Sequence, residues 1–189
     1  MSKETKNRTW PLWIAAACLF GLGCQPQQTV TKERTSAEQP PAFEELLASL
    51  RSADTLYVYE GLPHQFEERE LLEQEQKRTD TVQFGGYPFY TPRILMDPTG
   101  ATKLLEQINL PETFYIRRGE PLDCGFHPDY AVSWMDGTSE RFVLLCFGCH
   151  QARFLAGLDK AESYEKRDMN NVKHLQEIMK AYQSKRPSR

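Results

Sequence analysis

Two runs of strand-forming residues, Tyr130-Ala131-Val132-Ser133-Trp134 and Glu140-Arg141-Phe142-Val143-Leu144-Leu145, flank Met135-Asp136-Gly137-Thr138. An Asp-Gly pair between such runs is a strong short-range hairpin signal, because a tight turn needs positive φ and glycine adopts it at no steric cost. The sequence therefore predicts a β-hairpin over about 129–147, with Asp136 and Gly137 as the central turn residues. In that register Cys124 faces Cys149 and His127 faces Cys146, so all four residues collect at the open end of the hairpin.

The segments around the hairpin alternate helical and extended patterns. Phe43, Leu46, Leu47 and Leu50 share one helical face just after Pro40-Pro41. Residues 55–60 read as a strand ended by Gly61-Leu62-Pro63, and the charged run 66–78 as an exposed helix or excursion. Residues 83–92 combine aromatic residues with turn formers, which favours an extended segment whose rings pack on the core over an exposed stacking platform. A helix over 101–110 is entered through Asp97-Pro98-Thr99-Gly100, and 113–116 is a short strand. Val172, Leu175, Ile178, Met179 and Tyr182 mark a C-terminal amphipathic helix within 168–183. The expectation is an α+β class, with a small antiparallel sheet flanked by helices, in a single domain over 42–189.

The residues before that domain carry an address. Lys3, Lys6 and Arg8 precede an apolar stretch over 10–22 that is too short to span a bilayer, the pattern of a signal peptide over 1–23. Leu22-Gly23-Cys24 resembles the lipobox of bacterial lipoproteins, which implies acylation of Cys24 and cleavage before it. Gly21 stands where that family usually has Leu, leaving ordinary cleavage or an uncleaved anchor as alternatives. Residues 24–41 are rich in Gln, Thr, Glu and Pro and read as a tether, reaching roughly 5–6 Å times the square root of its residue number. The expected location is the cell envelope, lipid-anchored to a membrane and facing the periplasm. The net charge of −3 gives no electrostatic basis for nucleic-acid binding, and the basic end Lys185-Arg186-Pro187-Ser188-Arg189 reads as a solvated tail.

The chain has five cysteines. Processing would remove Cys18 and use Cys24 for lipid, leaving Cys124, Cys146 and Cys149, which cannot all pair within one chain. Three readings compete for them. A Cys124–Cys149 disulfide would staple the hairpin, contributing about 2–4 kcal/mol and leaving Cys146 as a buried small hydrophobe. Zinc would take Cys124, His127, Cys146 and Cys149, two ligands from each of two short turns. Haem c would use Cys146-Phe147-Gly148-Cys149-His150, with Met169, Met179 or His174 as second axial ligand. Dithiol redox chemistry at the Cys-x-x-Cys pair is a fourth possibility, although no thioredoxin-like βαβ pattern surrounds it. His64, after the Gly61-Leu62-Pro63 exit, could join His127 and Asp129 in acid–base chemistry if its loop folds toward the hairpin. Hydrolase and nucleotide-binding motifs find no match in the sequence.

Tyr59-Glu60-Gly61-Leu62-Pro63-His64, Cys124-Gly125-Phe126-His127-Pro128-Asp129-Tyr130 and Cys146-Phe147-Gly148-Cys149 together resemble a family of bacterial proteins of unknown activity, frequent among planctomycete lipoproteins. The likeness spans most of 56–154. It implies a Cys-Phe-x-Cys pair with a variable residue at the position of His150, which weighs against haem, and it implies no reaction.

Overall fold

The computed structural model describes residues 42–78, 80–117, 125–157 and 164–187. The expected signal peptide, Cys24, the tether and Cys124 lie outside them. The elements are, in order, α1 (Phe43–Arg51), β1 (Tyr57–Glu60), α2 (Arg69–Arg78), β2 (Thr81–Phe84), β3 (Tyr87–Tyr90), β4 (Ile94–Leu95), α3 (Pro98–Asn109), β5 (Phe114–Tyr115), β6 (Tyr130–Asp136), β7 (Ser139–Cys146), β8 (Gln151–Leu155), β9 (Tyr164–Met169) and α4 (Val172–Lys180). The class is α+β, as the sequence predicts.

Seven strands form one antiparallel sheet in the order β4-β1-β6-β7-β8-β9-β5, and β2 and β3 form a separate hairpin. Strand alternation sorts side chains onto two faces. Val132, Trp134, Val143, Leu145, Ala152 and Phe154 pack with Phe43, Leu46 and Leu50 of α1, Leu104 and Ile108 of α3, and Leu175 and Met179 of α4. Ala131, Phe142, Leu144, Cys146 and Leu155 point the other way and are covered by Phe84 and Phe89 of the small hairpin. The sheet is thus buried on both faces, which explains why 142–146 is an unbroken apolar run rather than an alternating one. The aromatic segment packs on the core as expected, Phe84 stacking on Phe142 with centroids 4.4 Å apart.

The helix ends follow local chemistry. Glu45 of α1 accepts the Ala42 N–H at 3.1 Å, and Asp97 caps α3 by accepting the Gly100 N–H at 2.9 Å with Pro98 in the first turn. Trp134 ties the sheet to α1 by donating its indole N–H to Ser49 Oγ at 2.9 Å.

Three expectations need correction. Asp136 pairs with Ser139, so the turn residues are Gly137 and Thr138, and Gly137 takes φ +59°. Glycine thus occupies the first central position, the arrangement of the II′ class, whereas the predicted turn would have put it second. The register moves with it: continuing the ladder past Tyr130↔Leu145 sets Asp129, not His127, opposite Cys146. Second, the sheet is larger than predicted, because β8 and β9 follow the hairpin. Third, Asp168 and Met169 belong to β9, and the last helix begins only at Val172, after Asn171 at φ 55°.

Candidate functional site

Cys146 ends β7 and pairs with Gln151, the first residue of β8, so Phe147-Gly148-Cys149-His150 form the four-residue loop of a second hairpin. His150 turns the chain at φ 53°, and its side chain is exposed. Cys146 and Cys149 point inward, at 2% and 3% exposure. The Cys-x-x-Cys-His motif is therefore a strand-to-strand turn that faces its thiols into the protein and its histidine out.

A cavity of about 550 Å³ opens at this end of the sheet, lined by His64, His127, Asp129, Cys146, Cys149 and Arg186 among others. Gly61 makes its shape possible. A Cβ there would lie 2.2 Å from the Pro128 carbonyl oxygen, so only glycine lets the chain leaving β1 lie against 128–129, where its N–H donates to Asp129 O at 2.7 Å. That approach brings the Leu62 carbonyl within 2.9 Å of His127 Nε2, which donates to it. Burial, and next the neighbouring His64, push the His127 pKa down to about 4, so the ring is neutral with its lone pair on Nδ1. His64 lies beside it, ring centroids 4.6 Å apart, and its own Nδ1 accepts the N–H groups of Phe66 and Glu67, both at 3.2 Å.

Cys146 is a free thiol. Its sulfur accepts the Cys149 N–H at 3.2 Å. Burial raises its pKa, while the amides of His127, Cys149 and Gly148 act in the opposite direction, so the group is a protonated thiol at neutral pH. Cys149 is one half of a disulfide whose other half lies outside the described residues. Phe126 packs in the same apolar cluster as both cysteines.

The remaining wall comes from residues far apart in sequence. Glu60 is only 2% exposed, and its carboxylate accepts three successive backbone N–H groups, from Ser184 at 3.0 Å, Lys185 at 2.8 Å and Arg186 at 2.9 Å. The Arg186 guanidinium bridges Glu68 at 2.8 Å and Asp129 at 3.2 Å. Asp129 also accepts the Phe147 N–H at 2.8 Å, which links the arginine to the cysteine loop. Lys185 and Arg186, read from sequence as part of a solvated tail, are half-buried instead; Glu60 stands in the sequence only within the segment that carries the family resemblance, and Glu68 only within the charged run 66–78.

The structure thus brings together His64, His127, Asp129, Cys146 and Cys149 and leaves His150 outside. Met169 and Met179 sit in the helix-side core, across the sheet from the thiols, and His174 is exposed on α4. Among the described residues no three His, Cys, Asp or Glu side chains are grouped to hold a metal ion. The cleft offers a neutral imidazole lone pair, carboxylates, a guanidinium and an apolar floor, which suit recognition of a polar ligand more than nucleophilic attack. No family model matches this chain, and neither a curated protein nor a solved structure shows significant similarity to it.

Proposed function

We propose that the folded part is a binding domain of an envelope lipoprotein, held to a membrane through lipid on Cys24 and set off from it by the 24–41 tether. Its binding site is the cleft at the open end of the β6–β7 hairpin, and a Cys124–Cys149 disulfide staples the rim. The observation that carries this reading is the pairing state of the cysteine loop: Cys149 is oxidised while Cys146, three residues away, is a buried free thiol. Cys124 is the natural partner, because Phe126, two residues on, belongs to the same buried cluster as Cys149, whereas Cys18 and Cys24 belong to the expected leader and lipid site. Zinc held by four ligands and haem held by two thioether bonds each require the Cys149 thiol to be reduced, so the disulfide favours the stapled reading over both.

Purified mature protein tests this directly. The stapled domain has one reactive thiol after denaturation without reductant, no Soret band and no stoichiometric zinc. A Soret absorbance that survives acid-acetone extraction would establish covalent haem instead, and three thiols with one zinc per chain would establish a metal knuckle. The address is tested by Cys24→Ser, which is expected to move the protein from the membrane fraction to the soluble envelope fraction; unchanged fractionation would refute lipid anchoring.

A further inference from the structure

The geometry points to residues 184–187 as a displaceable strap, a basic segment that fills an acidic groove of its own domain and shuts the cleft over the Cys146 thiol. The inference rests on the cleft being the binding site, but not on its staple.

The groove is acidic without the strap. Glu60 at the end of β1, Glu67 and Glu68 ahead of α2, and Asp129 before β6 supply four carboxylates, and Lys180 is the cation that α4 adds to the cleft lining. The strap answers this charge in two ways. Its main chain bends at 185–186 so that three consecutive N–H groups converge on Glu60, a concave arrangement that an extended strand, whose successive N–H groups point to opposite sides, does not offer. Its guanidinium then spans Glu68 and Asp129, a fork that lysine cannot match.

The strap is held differently from the rest of the chain. Tyr182 is the last buried apolar anchor, at 6% exposure; beyond it, through Pro187, the segment adds no strand or helix, and polar contacts dominate. Such bonds exchange readily with water or with a chemically similar competitor. Arg186 and Pro187 line the same cavity as His64, His127 and Cys146, so lifting the strap removes one wall of the cleft. The recognised class is a bent peptide segment that turns three successive N–H groups and one arginine into the groove, presented in cis by this chain and in trans by a partner that displaces it.

The test reads native-state alkylation of Cys146 by N-ethylmaleimide in three forms of the otherwise complete protein: wild type, Arg186→Ala, and a chain ended after Gln183. Far-ultraviolet circular dichroism confirms that each is folded, and Glu68→Gln reads the same contact from the groove side should the shortened chain fail to fold. Alkylation is expected to quicken on the order of tenfold in the shortened chain and less in the point variants, the scale of losing one or two charge-assisted bonds. Excess peptide of sequence Gln-Ser-Lys-Arg-Pro-Ser-Arg should then return the shortened chain to the wild-type rate, and the same peptide with Gln in place of its first Arg should not. Equal rates in all folded forms would overturn the strap. A quickened rate that the peptide fails to slow would overturn recognition and leave 184–187 as a plain structural wall. Neither outcome alters the thiol count of the denatured protein, so failure here is separable from failure of the stapled reading.

Discussion

Glu60→Gln isolates the bond set on which the closed cleft depends. The change keeps size and shape but leaves one carbonyl oxygen to serve three amides that converge on Glu60 at 2.8 to 3.0 Å. Ser184 and Lys185 both address one carboxylate oxygen and can keep a carbonyl there; Arg186 N–H then meets an NH₂ group, donor against donor. An unsatisfied buried donor costs about 1–3 kcal/mol, and the two surviving bonds lose their charge assistance. Relief from burying a charge offsets part of this, since Glu60 is nearly inaccessible. The net expectation is about 2 kcal/mol, or roughly 4–8 °C in Tm for a domain of this size. Because the loss acts on docking of the strap, its ceiling is the energy of the strap itself. A double-mutant cycle therefore carries the test: Glu60→Gln in the full chain and in the chain ended after Gln183, each unfolded in urea. Glu60→Gln is expected to cost stability in the full chain and little or nothing in the shortened one, where the carboxylate has lost its amides and opens to solvent. An equal cost in both would show that Glu60 stabilises the sheet directly, and the account of the latch would fall.

His127 supplies a pH signature. Its pKa is about 4 in the folded protein against an ordinary 6.5, so the unfolded chain binds more protons between those values. Stability from this residue is complete above about pH 6.5 and is lost as pH falls toward 4, with an upper bound of about 3 kcal/mol. Urea midpoints measured over that range should slope upward with pH in the wild type and flatten in His127→Gln; a matching slope in both would assign the effect elsewhere. Gly61→Ala forces a methyl group against the Pro128 carbonyl and should cost about 3 kcal/mol in the same assay, whereas a change below 0.5 kcal/mol would show that the close approach of 61 to 128–129 yields easily.

How much of this could be read from the chain depends on how local each cause is. The hairpin was legible because its strands and its turn lie within 17 residues, from Tyr130 to Cys146. Its register was not, because either placement of the turn satisfies the glycine and the two differ by where the protein puts positive φ. β8 and β9 were missed because their charged residues break the expected alternation, and the structure shows why those charges are tolerated. Arg153 lays its guanidinium over Phe126 at 3.9 Å, Arg167 lies over Phe43 at 4.0 Å, and buried Asp168 pairs with Arg117 at 3.1 Å. The meeting of His64 with His127 was conditionally legible, since the exit at Gly61-Leu62-Pro63 had one direction in which it mattered. The partnership of Glu60 with 184–186 was not legible, because its members stand 124 to 126 positions apart and no periodicity links them.

The central claim is that the cleft is stapled through Cys149 while Cys146 stays a free thiol. Alkylating the mature protein in denaturant without reductant, then digesting it and mapping the peptides by mass spectrometry, addresses that claim at the level of individual sulfurs. The account predicts a linked peptide pair joining Cys124 to Cys149, with the alkyl label on Cys146 alone among the three. Label on Cys149, or a Cys146–Cys149 bridge, would contradict it.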